Sequence, residues 1–539
     1  MLDALSDLLN GPAGHGILTA LHALLLVFTA LFVFRLAGAS RRAAKSGGTP
    51  RGAASGKAKR RDNKADFRAL SRGVGLALAA VLAYQGVWQL TGFRSRGLQR
   101  FMRGHNMRQG AADKQVLRGS ILDANGEILA RTSPETVWRR SYPLGPAAAH
   151  VVGYAHPVYG WSGVERAADA ALSGCGVAGG DELSRLGRNM LDLKRPEGTD
   201  VRITLDARLQ RAAYDLLAGR AGAVVALRPS DGAILAMASS PSFDPAQPAS
   251  GLRGRSAPML NRTAQGLYPP GSTFKIAMAL LASDLGIAPR FDCPAEGFRA
   301  EPKAQPIRDS EYTSWKRQGR TWTGWGVIGL ADGFVHSSNV YFARLGTHLG
   351  PAAFNAFIDR LGIRDNVVFF DSGDGIIQAS PAHVPELGEK DRRALAQMSI
   401  GQGEMLLAPL HVAMLTAAVA NRGELATPRL KAALPPGGPK AKRIVSAKAA
   451  DAVKAMMRDA VGRGTGRGAH LPGLDVCGKT GTAQAPGGDD HAWFTCFAPG
   501  KNPKIVVTVI VERGGYGAKS AVPVARALLE KADELGLLR

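Results

Sequence analysis

The sequence predicts a large α+β domain, with helices around an antiparallel sheet, preceded by a small β-rich domain and two transmembrane helices. Two long uncharged segments lie in the first hundred residues, and short apolar runs bounded by turn residues alternate with helical segments in the remainder. The chain has 539 residues, too many for one ordinary domain. With 45% hydrophobic residues and four cysteines, it is neither wholly disordered nor a disulfide framework.

The two uncharged segments, residues 17–34 and 73–93, are predicted to span a membrane. They contain 18 and 21 residues, and a helix of about 20 residues crosses the hydrocarbon core of a bilayer. Two alternatives stay open: the first segment as part of a cleaved signal peptide, and the second as a buried core helix. The length of the first segment and the lack of Lys or Arg ahead of it argue against a signal peptide.

The loop between these segments, residues 39–72, holds eleven Lys or Arg and two Asp, a net charge of +9. Its Gly, Ser and Ala content predicts a solvated cytoplasmic loop, because basic loops stay inside. The chain after residue 93 is then extracytoplasmic. Of the total charge of +24, the rest of the chain keeps +15. An exported domain is a poor candidate for binding nucleic acid, whereas this charge is compatible with an anionic polymer of the cell envelope.

The extracytoplasmic chain is predicted to divide into a pedestal domain, residues 94–200, and a large domain, residues 201–539. In the pedestal, Asn125-Gly126 lies between two short β-prone runs and predicts a hairpin. In the large domain, apolar runs with period 2 or 3.6 predict strands and helices in a mixed order. The predicted strands are 202–205, 223–227, 233–238 and 504–511, and the predicted helices follow Asp206, follow Gly271, span 405–420 and span 522–537.

The first chemical motif is Ser272-Thr273-Phe274-Lys275, which follows a Pro-Pro-Gly turn and opens an apolar helix. Lys275 lies one helical turn after Ser272, on the same face. A serine hydroxyl becomes a nucleophile when a base removes its proton, and a lysine whose pKa is lowered by burial can act as that base. A bare S-x-x-K is a weak signal, and a capping serine beside a solvated lysine is the alternative.

Two further motifs follow. Ser337-Ser338-Asn339 places a hydroxyl and a carboxamide two positions apart, where they could relay a proton and hold a substrate amide; a helix cap is the alternative. Lys479-Thr480-Gly481-Thr482 is predicted to lie on a strand. Its glycine would let a substrate backbone approach, and its lysine and hydroxyls suit a carboxylate. The alternative is an ordinary strand followed by a turn.

The three motifs occur in order, separated by 65 and 142 residues. S-x-x-K, S-x-N and K-T-G form the signature set of penicillin-recognising serine enzymes. From about Arg118 to its end, the chain closely resembles the class B penicillin-binding proteins, monofunctional peptidoglycan D,D-transpeptidases. Other segments similar to that family are 118–121, 125–126, 163–165, 172–174, 205–210, 222–230, 239–241, 261–262, 401–403, 409–410 and 491–494.

The resemblance implies a penicillin-binding, β-lactamase-like transpeptidase fold and a role for each motif. Ser272 would attack the D-Ala-D-Ala bond of a stem peptide, Lys275 would accept its proton, and Ser337 would pass a proton to the leaving amine. The backbone N–H groups of Ser272 and Thr482 would form the oxyanion hole, and β-lactams would acylate Ser272. The catalytic set is thus Ser272, Lys275, Ser337 and Lys479; Asn339, Thr480, Gly481 and Thr482 would bind substrate, with Lys479 also holding the terminal carboxylate.

The chain departs from the family in two ways. It has two predicted amino-terminal spans where the family usually has one, and its pedestal is short. Nothing in the pedestal resembles a glycosyltransferase, so the resemblance implies a SEDS-family membrane glycosyltransferase as partner. It also implies a place at the bacterial cytoplasmic (inner) membrane, with the catalytic domain in the periplasm. Two other functions stay open: a D,D-carboxypeptidase or β-lactamase, and a non-enzymatic β-lactam sensor or scaffold. We expect no metal and no cofactor, since no metal-binding motif occurs. A disulfide between Cys477 and Cys496 is a further possibility, although bridges between adjacent strands are strained.

Overall fold

The computed structural model describes residues 117–133, 136–174, 197–252, 256–434, 441–485 and 487–539, with residues 81 and 438. The predicted membrane spans and the basic loop lie outside these residues, except for Val81. Within the described part of the chain, no helix is both long enough and apolar enough to cross a bilayer.

The amino-terminal part of the described chain is built on a four-stranded mixed sheet with the order β3-β2-β1-β6. The predicted hairpin at Asn125-Gly126 is present, with Ile121 opposite Ala130. Gly126 has φ +91°, which a glycine adopts without strain. The strands are β1 Ile121–Leu122, β2 Ile128–Ser133, β3 Thr136–Ser141, β4 Ala155–His156, β5 Gly160–Trp161 and β6 Val201–Arg202, and the helices are α1 Ala149–Val152, α2 Gly163–Ala167 and α3 Asp169–Leu172.

A five-stranded antiparallel sheet forms the centre of the larger part, and it confirms the predicted α+β class. Its order is β15-β16-β17-β7-β8, so strands from the two ends of this region pair directly through β17 and β7. Every residue of β7, β8 and β17 is buried, because helices cover both faces. These strands are β7 Gly222–Leu227, β8 Ile234–Ser240, β15 Cys477–Ala483, β16 His491–Ala498 and β17 Ile505–Val511.

Alternate residues of the sheet pack into two separate core regions. On one face, Trp493 and Val506 pack into the larger core, which contains the apolar helix after Ser272. On the other face, Phe494 and Val507 pack against the helix that follows Asp206 and the carboxy-terminal helix. The helices are α4 Ala207–Asp215, α5 Ala249–Leu252, α6 Lys275–Asp284, α7 Ser310–Arg317, α8 Leu330–Val335, α9 Asn339–Leu361, α10 Arg392–Met398, α11 Pro409–Ala420, α12 Ala447–Gly462, α13 Gly517–Ser520 and α14 Val522–Glu534.

Three two-stranded sheets lie in the segments between these helices. The first joins the segment after α6 to the segment before α8, and therefore lies close in sequence to the second motif. Their strands are β9 Phe291–Pro294 with β10 Gly324–Ile328, β11 Val367–Asp371 with β12 Ile376–Ala379, and β13 Glu424–Ala426 with β14 Ala441–Arg443.

Three predicted elements are wrong in extent, and one of them, the helix predicted over 522–537, ends at Glu534. The helix predicted over 405–420 begins at Pro409, because Leu406 and Leu407 pair instead with His383 and Tyr268 in isolated β-bridges. Proline favours the first turn of a helix and pushes the preceding residue into extended backbone, and Ala408 has ψ 153°. The strand predicted over 202–205 is only Val201–Arg202, since Thr204 bonds to Leu430 in a different segment.

Candidate active site

Ser272 lies in a single 3-10 turn, Gly271–Phe274, that runs directly into α6. Gly271 has φ +54°, and its N–H donates to the carbonyl of Gly401 at 2.9 Å. A Cβ on Gly271 would lie 2.6 Å from the carbonyl oxygen of Thr482. Glycine at position 271 therefore lets the turn that carries Ser272 lie directly against the Lys479–Thr482 strand.

Lys275 is the first residue of α6 and is fully buried. Its Nζ donates to the Ser337 carbonyl at 2.6 Å and to Asn339 Oδ1 at 2.7 Å, and lies 3.4 Å from Ser337 Oγ. Burial lowers the pKa of Lys275 to about 7, although the charges of Asp309 and Glu311 oppose the shift. A neutral amine has two N–H donors and one lone pair, so the two short bonds leave the lone pair free to accept a proton.

The second motif forms the turn between α8 and α9. Ser337 has φ +59°, a conformation that costs free energy for a residue with a side chain. Ser338 is the N-cap of α9, and its Oγ accepts from the backbone N–H of Tyr341 at 3.1 Å. The cap and the chemical interpretations of this motif therefore apply to different residues, because Ser338 caps the helix while Ser337 and Asn339 contact Lys275.

Lys479 lies on β15, which is one of the two edge strands of the five-stranded sheet. Its Nζ is fully buried among protein atoms and donates to Ser337 Oγ at 2.7 Å and to the Thr480 carbonyl at 3.2 Å. Burial and the neighbouring charge of Lys275 hold the pKa of Lys479 well below its ordinary value. Ser337 Oγ is thus placed between two amines, the arrangement a proton relay requires.

The rest of the third motif lies on the same edge strand. Gly481 lets β15 pack against the turn that carries Ser272, since an added Cβ would lie 2.9 Å from Thr273 Cγ2. Thr480 Oγ1 is hydrogen-bonded to Thr465 Oγ1 at 2.6 Å. Thr482 is half-buried, and its Oγ1 accepts from the N–H of Gly517 at 3.5 Å. The outer edge of β15 carries backbone groups that an extended peptide can pair with.

The structure therefore brings Lys275, Ser337, Asn339 and Lys479 into one hydrogen-bonded group. Ser272 is half-buried, and among the described residues its hydroxyl has no hydrogen-bond partner. The remaining predicted residues, Thr480, Gly481 and Thr482, lie on the strand that packs against the Ser272 turn.

Two residues beside the site were not predicted from sequence. Asp309 is a buried carboxylate that accepts hydrogen bonds from Ser338, Asn339 and Val340. Thr465 contacts the hydroxyl of Thr480. Asp309 lies 29 to 31 positions from its partners, and Thr465 lies 15 positions from Thr480, so no local sequence pattern marks either residue.

The cysteines of this region are not bridged. Cys477 and Cys496 are buried free thiols. Cys477 lies opposite Phe497, and Gly478 lies opposite Cys496. The two thiols therefore point to opposite faces of the sheet, and they belong to the two different core regions. Within the described ranges, no group of three or more His, Cys, Asp or Glu side chains is placed to hold a metal ion.

An antiparallel sheet with a Ser-x-x-Lys helix on one face and a second lysine on its edge strand defines an active-serine enzyme. Comparison with family models agrees. A model described as the penicillin-binding protein transpeptidase domain matches residues 222–530, and one described as the penicillin-binding protein A dimerisation domain matches residues 118–201. The chain belongs to the penicillin-binding protein transpeptidase family.

Individual relatives point to the same family. The peptidoglycan D,D-transpeptidase PbpA of Mycolicibacterium smegmatis is 32% identical over 460 residues, which cover 77% of this chain and 89% of the relative. The corresponding enzyme MrdA of Haemophilus influenzae is 29% identical over 490 residues, 78% of this chain and 72% of the relative.

Solved structures similar to this chain include penicillin-binding protein A from M. tuberculosis as a ceftriaxone acyl-enzyme complex. Its TM-score is 0.68, and its sequence is 27% identical, with 78% of this chain and 99% of that one covered. Pseudomonas aeruginosa PBP2 has a TM-score of 0.62 and 31% identity over 77% and 96%. The predicted resemblance to class B penicillin-binding proteins is confirmed.

Proposed function

We propose that this chain is a peptidoglycan D,D-transpeptidase that cross-links stem peptides through an acyl-enzyme on Ser272. The observation that carries the proposal is the hydrogen-bonded group Lys275, Ser337 and Lys479 beside the turn that holds Ser272. It supplies two buried amines and one hydroxyl to move protons at a serine. The related peptidoglycan D,D-transpeptidases indicate the substrate class, and the ceftriaxone acyl-enzyme of the M. tuberculosis protein indicates the inhibitor class.

In the proposed first half-reaction, Ser272 Oγ attacks the carbonyl carbon between the last two D-alanines. Its proton passes to the lone pair of Lys275 Nζ, and the carbonyl π-electrons move onto the oxygen. The backbone N–H groups of Ser272 and Thr482 would stabilise that oxyanion. When the oxyanion re-forms its double bond, the C–N bond breaks and the amine of D-alanine takes a proton from Ser337 Oγ. Ser337 regains a proton from protonated Lys275, whose Nζ lies 3.4 Å away, so Lys275 is neutral again for the second half-reaction.

In the second half-reaction, an amine of a neighbouring stem peptide attacks the ester carbonyl and loses a proton to the same relay. The C–Oγ bond breaks, Ser272 regains its proton, and a peptide cross-link is formed. The donor peptide would lie along the outer edge of β15, with its amide held by Asn339 and its carboxylate by Lys479, Thr480 and Thr482. Gly481 supports this placement because it lets β15 lie close to the turn that carries Ser272.

The proposed domain division is a membrane anchor, residues 1–93, a pedestal, residues 94–200, and the transpeptidase domain, residues 201–539. We also propose that the catalytic domain faces the periplasm and that a SEDS-family glycosyltransferase supplies the glycan strands. Capture of the full chain in mild detergent should recover such a polymerase. If no glycosyltransferase is recovered, the partner assignment is wrong and the transpeptidase assignment is unaffected.

The function is tested by acylation of the full-length chain with a fluorescent penicillin. We expect one slow, stoichiometric adduct, located on Ser272 by peptide mass spectrometry, and none in Ser272→Ala. Ser283→Ala is the matched control, because Ser283 is a half-buried serine of α6 outside the site. An adduct on Ser272→Ala would overturn the nucleophile assignment, and rapid turnover of penicillin by the unaltered chain would indicate a β-lactamase.

A further inference from the structure

The buried carboxylate of Asp309 lies behind the second motif rather than in the substrate groove. Only 4% of Asp309 is exposed. Asp309 directly precedes α7, but no side-chain cap bond joins it to that helix. The carboxylate turns instead to the start of α9, where it accepts from Ser338 Oγ at 3.0 Å and from the backbone N–H groups of Asn339 and Val340.

These contacts complete the amino terminus of α9. The first N–H groups of a helix have no partner within the helix. Asp309 accepts the first two, and Ser338 Oγ accepts the next, from Tyr341. Ser338 Oγ and the N–H groups of Asn339 and Val340 all donate to Asp309, and a negative charge is favoured at a helix amino terminus. Burial raises the pKa of Asp309, while these hydrogen bonds and the charge of Lys275 act to lower it, so the contacts suit the ionised carboxylate.

The segment that carries Asp309 also orients the Asn339 side chain. Asn339 Nδ2 donates to the Arg308 carbonyl at 2.9 Å, which turns Oδ1 toward Lys275 Nζ at 2.7 Å. Asn339 is thus held through its backbone by Asp309 and through its amide by Arg308. Ser337, in its left-handed conformation, precedes these anchored residues and offers its carbonyl to Lys275.

We propose that Asp309 is a positioning residue of the transpeptidase reaction, which holds the Ser337–Asn339 turn in the geometry that Lys275 and Lys479 require. The inference rests on the proposed function. Asp309 acts through Ser338 and Asn339, since no contact joins Asp309 to Ser272 among the described residues. Its negative charge also favours the protonated form of Lys275, as does that of Glu311, while the charge of protonated Lys275 lowers the pKa of the neighbouring Lys479.

The test is Asp309→Asn in the full-length chain, with the rate constant of acylation by fluorescent penicillin measured from pH 5 to pH 9. Asparagine keeps the size of the side chain but loses the charge and one acceptor. We expect acylation about ten- to a hundredfold slower, since small misplacement of catalytic groups has effects of this order. We also expect the acidic limb of the pH profile to move to lower pH, because a charge that favours protonated Lys275 is gone.

Asp206→Asn is the matched control. Asp206 is 2% exposed and caps α4 through the N–H groups of Arg208 and Leu209, far in sequence from the site. The Asp206→Asn substitution should lower the unfolding temperature and leave the acylation rate and its pH profile unchanged. A purely structural role for Asp309 predicts the same result for Asp309→Asn, and that result would overturn the proposal.

Ser338→Ala keeps the test decisive if Asp309→Asn does not fold. It removes the hydroxyl that joins Asp309 to the motif and leaves the carboxylate in place. We expect slower acylation with little movement of the acidic limb, and a rate equal to that of the unaltered chain would contradict the proposal. Failure of the proposed function is distinguishable, because the unaltered chain would then form no adduct on Ser272.

Discussion

Lys275 and Lys479 place two buried amines on either side of one hydroxyl, an arrangement that is costly for folding. Desolvation favours the neutral form of each, and each ammonium charge would disfavour the other. Between the folded pKa of Lys275, about 7, and its ordinary value of 10.5, the unfolded chain binds the extra proton. The contribution of Lys275 to stability therefore rises with pH across that window.

The same pKa predicts the pH dependence of acylation. If neutral Lys275 accepts the proton of Ser272, the rate should increase with pH through about 7 and level off above it. Two pH units below the pKa, the neutral fraction is about 1%, so acylation at pH 5 should be about a hundredfold slower than the plateau. Stopped-flow measurement with a chromogenic β-lactam checks this.

The control for this measurement is the unfolding temperature across the same pH range, which must show that the chain stays folded at pH 5. A rate that is constant from pH 5 to pH 9 in the folded chain would exclude Lys275 as the base. A plateau reached only near pH 10 would mean that burial does not lower its pKa.

Among the secondary-structure elements, the contact between β15 and the turn that carries Ser272 decides whether the motifs meet. Gly481 lies where an added Cβ would be 2.9 Å from Thr273 Cγ2 and 3.0 Å from Trp493 Cβ. These neighbours are buried, so the strand or the turn would have to move. The close approach depends on the absence of a side chain at this position.

Gly481→Ala should therefore impair acylation far more than folding. We expect about a hundredfold loss of the acylation rate constant, because the strand and Ser272 separate, and a loss of about 1–3 kcal/mol in the free energy of unfolding. Both are measured on the same preparation, by fluorescent penicillin and by urea denaturation.

Gly462→Ala is the matched glycine control. Gly462 ends α12, and an added Cβ there would have no neighbour within 4 Å. Since alanine is favoured over glycine in helices by up to about 1 kcal/mol, this variant should be as stable as the unaltered chain or slightly more stable, with unchanged acylation. Equal acylation by the two variants would contradict the assigned role of Gly481.

At the scale of the whole molecule, a buried ionic cluster organises the smaller sheet region. Glu165 is fully buried and accepts from Arg118 at 2.7 Å and from Arg140 at 2.6 Å, and Arg118 also reaches Asp169. Burial acts to raise the pKa of Glu165, but the charges and hydrogen bonds of the two arginines outweigh it and hold the pKa below its ordinary value. Glu165 therefore stays ionised beside the two arginines at neutral pH.

Glu165→Gln should destabilise the chain by about 3–5 kcal/mol, because it leaves Arg140 buried without a carboxylate partner and leaves Arg118 with Asp169 alone. A carboxylate with a lowered pKa contributes stability above its ordinary pKa of 4.5 and loses that contribution as the pH falls through the folded pKa. The variant should lack this acid-dependent loss. Urea denaturation at pH 7 and pH 4 measures both effects.

The matched control is Glu530→Gln, which breaks an exposed pair with Arg526 one turn away on α14. Exposed pairs of this kind contribute about 0.5 kcal/mol or less. If Glu165→Gln were no more destabilising than Glu530→Gln, the ionic cluster would have no role in holding this region together.

The sequence by itself determined the family, the α+β class, most strands and helices, and the residues of the three motifs. It could do so because apolar periodicity, turn residues and short motifs are local properties of the chain. The start of α11 at Pro409 was missed because Leu406 and Leu407 pair with distant segments, and such pairing overrides local helical periodicity. The predicted roles of the site residues, the domain boundaries and the membrane spans stay predictions.

Only the tertiary structure decided how the motif side chains meet. Ser337 Oγ lies between Lys275 and Lys479 because a helix, a turn and an edge strand converge there. The same convergence places Asp309 and Thr465, which no motif marks, against Asn339 and Thr480. The physical reason is that hydrogen-bond geometry, burial and the resulting pKa shifts depend on distances between residues far apart in the chain.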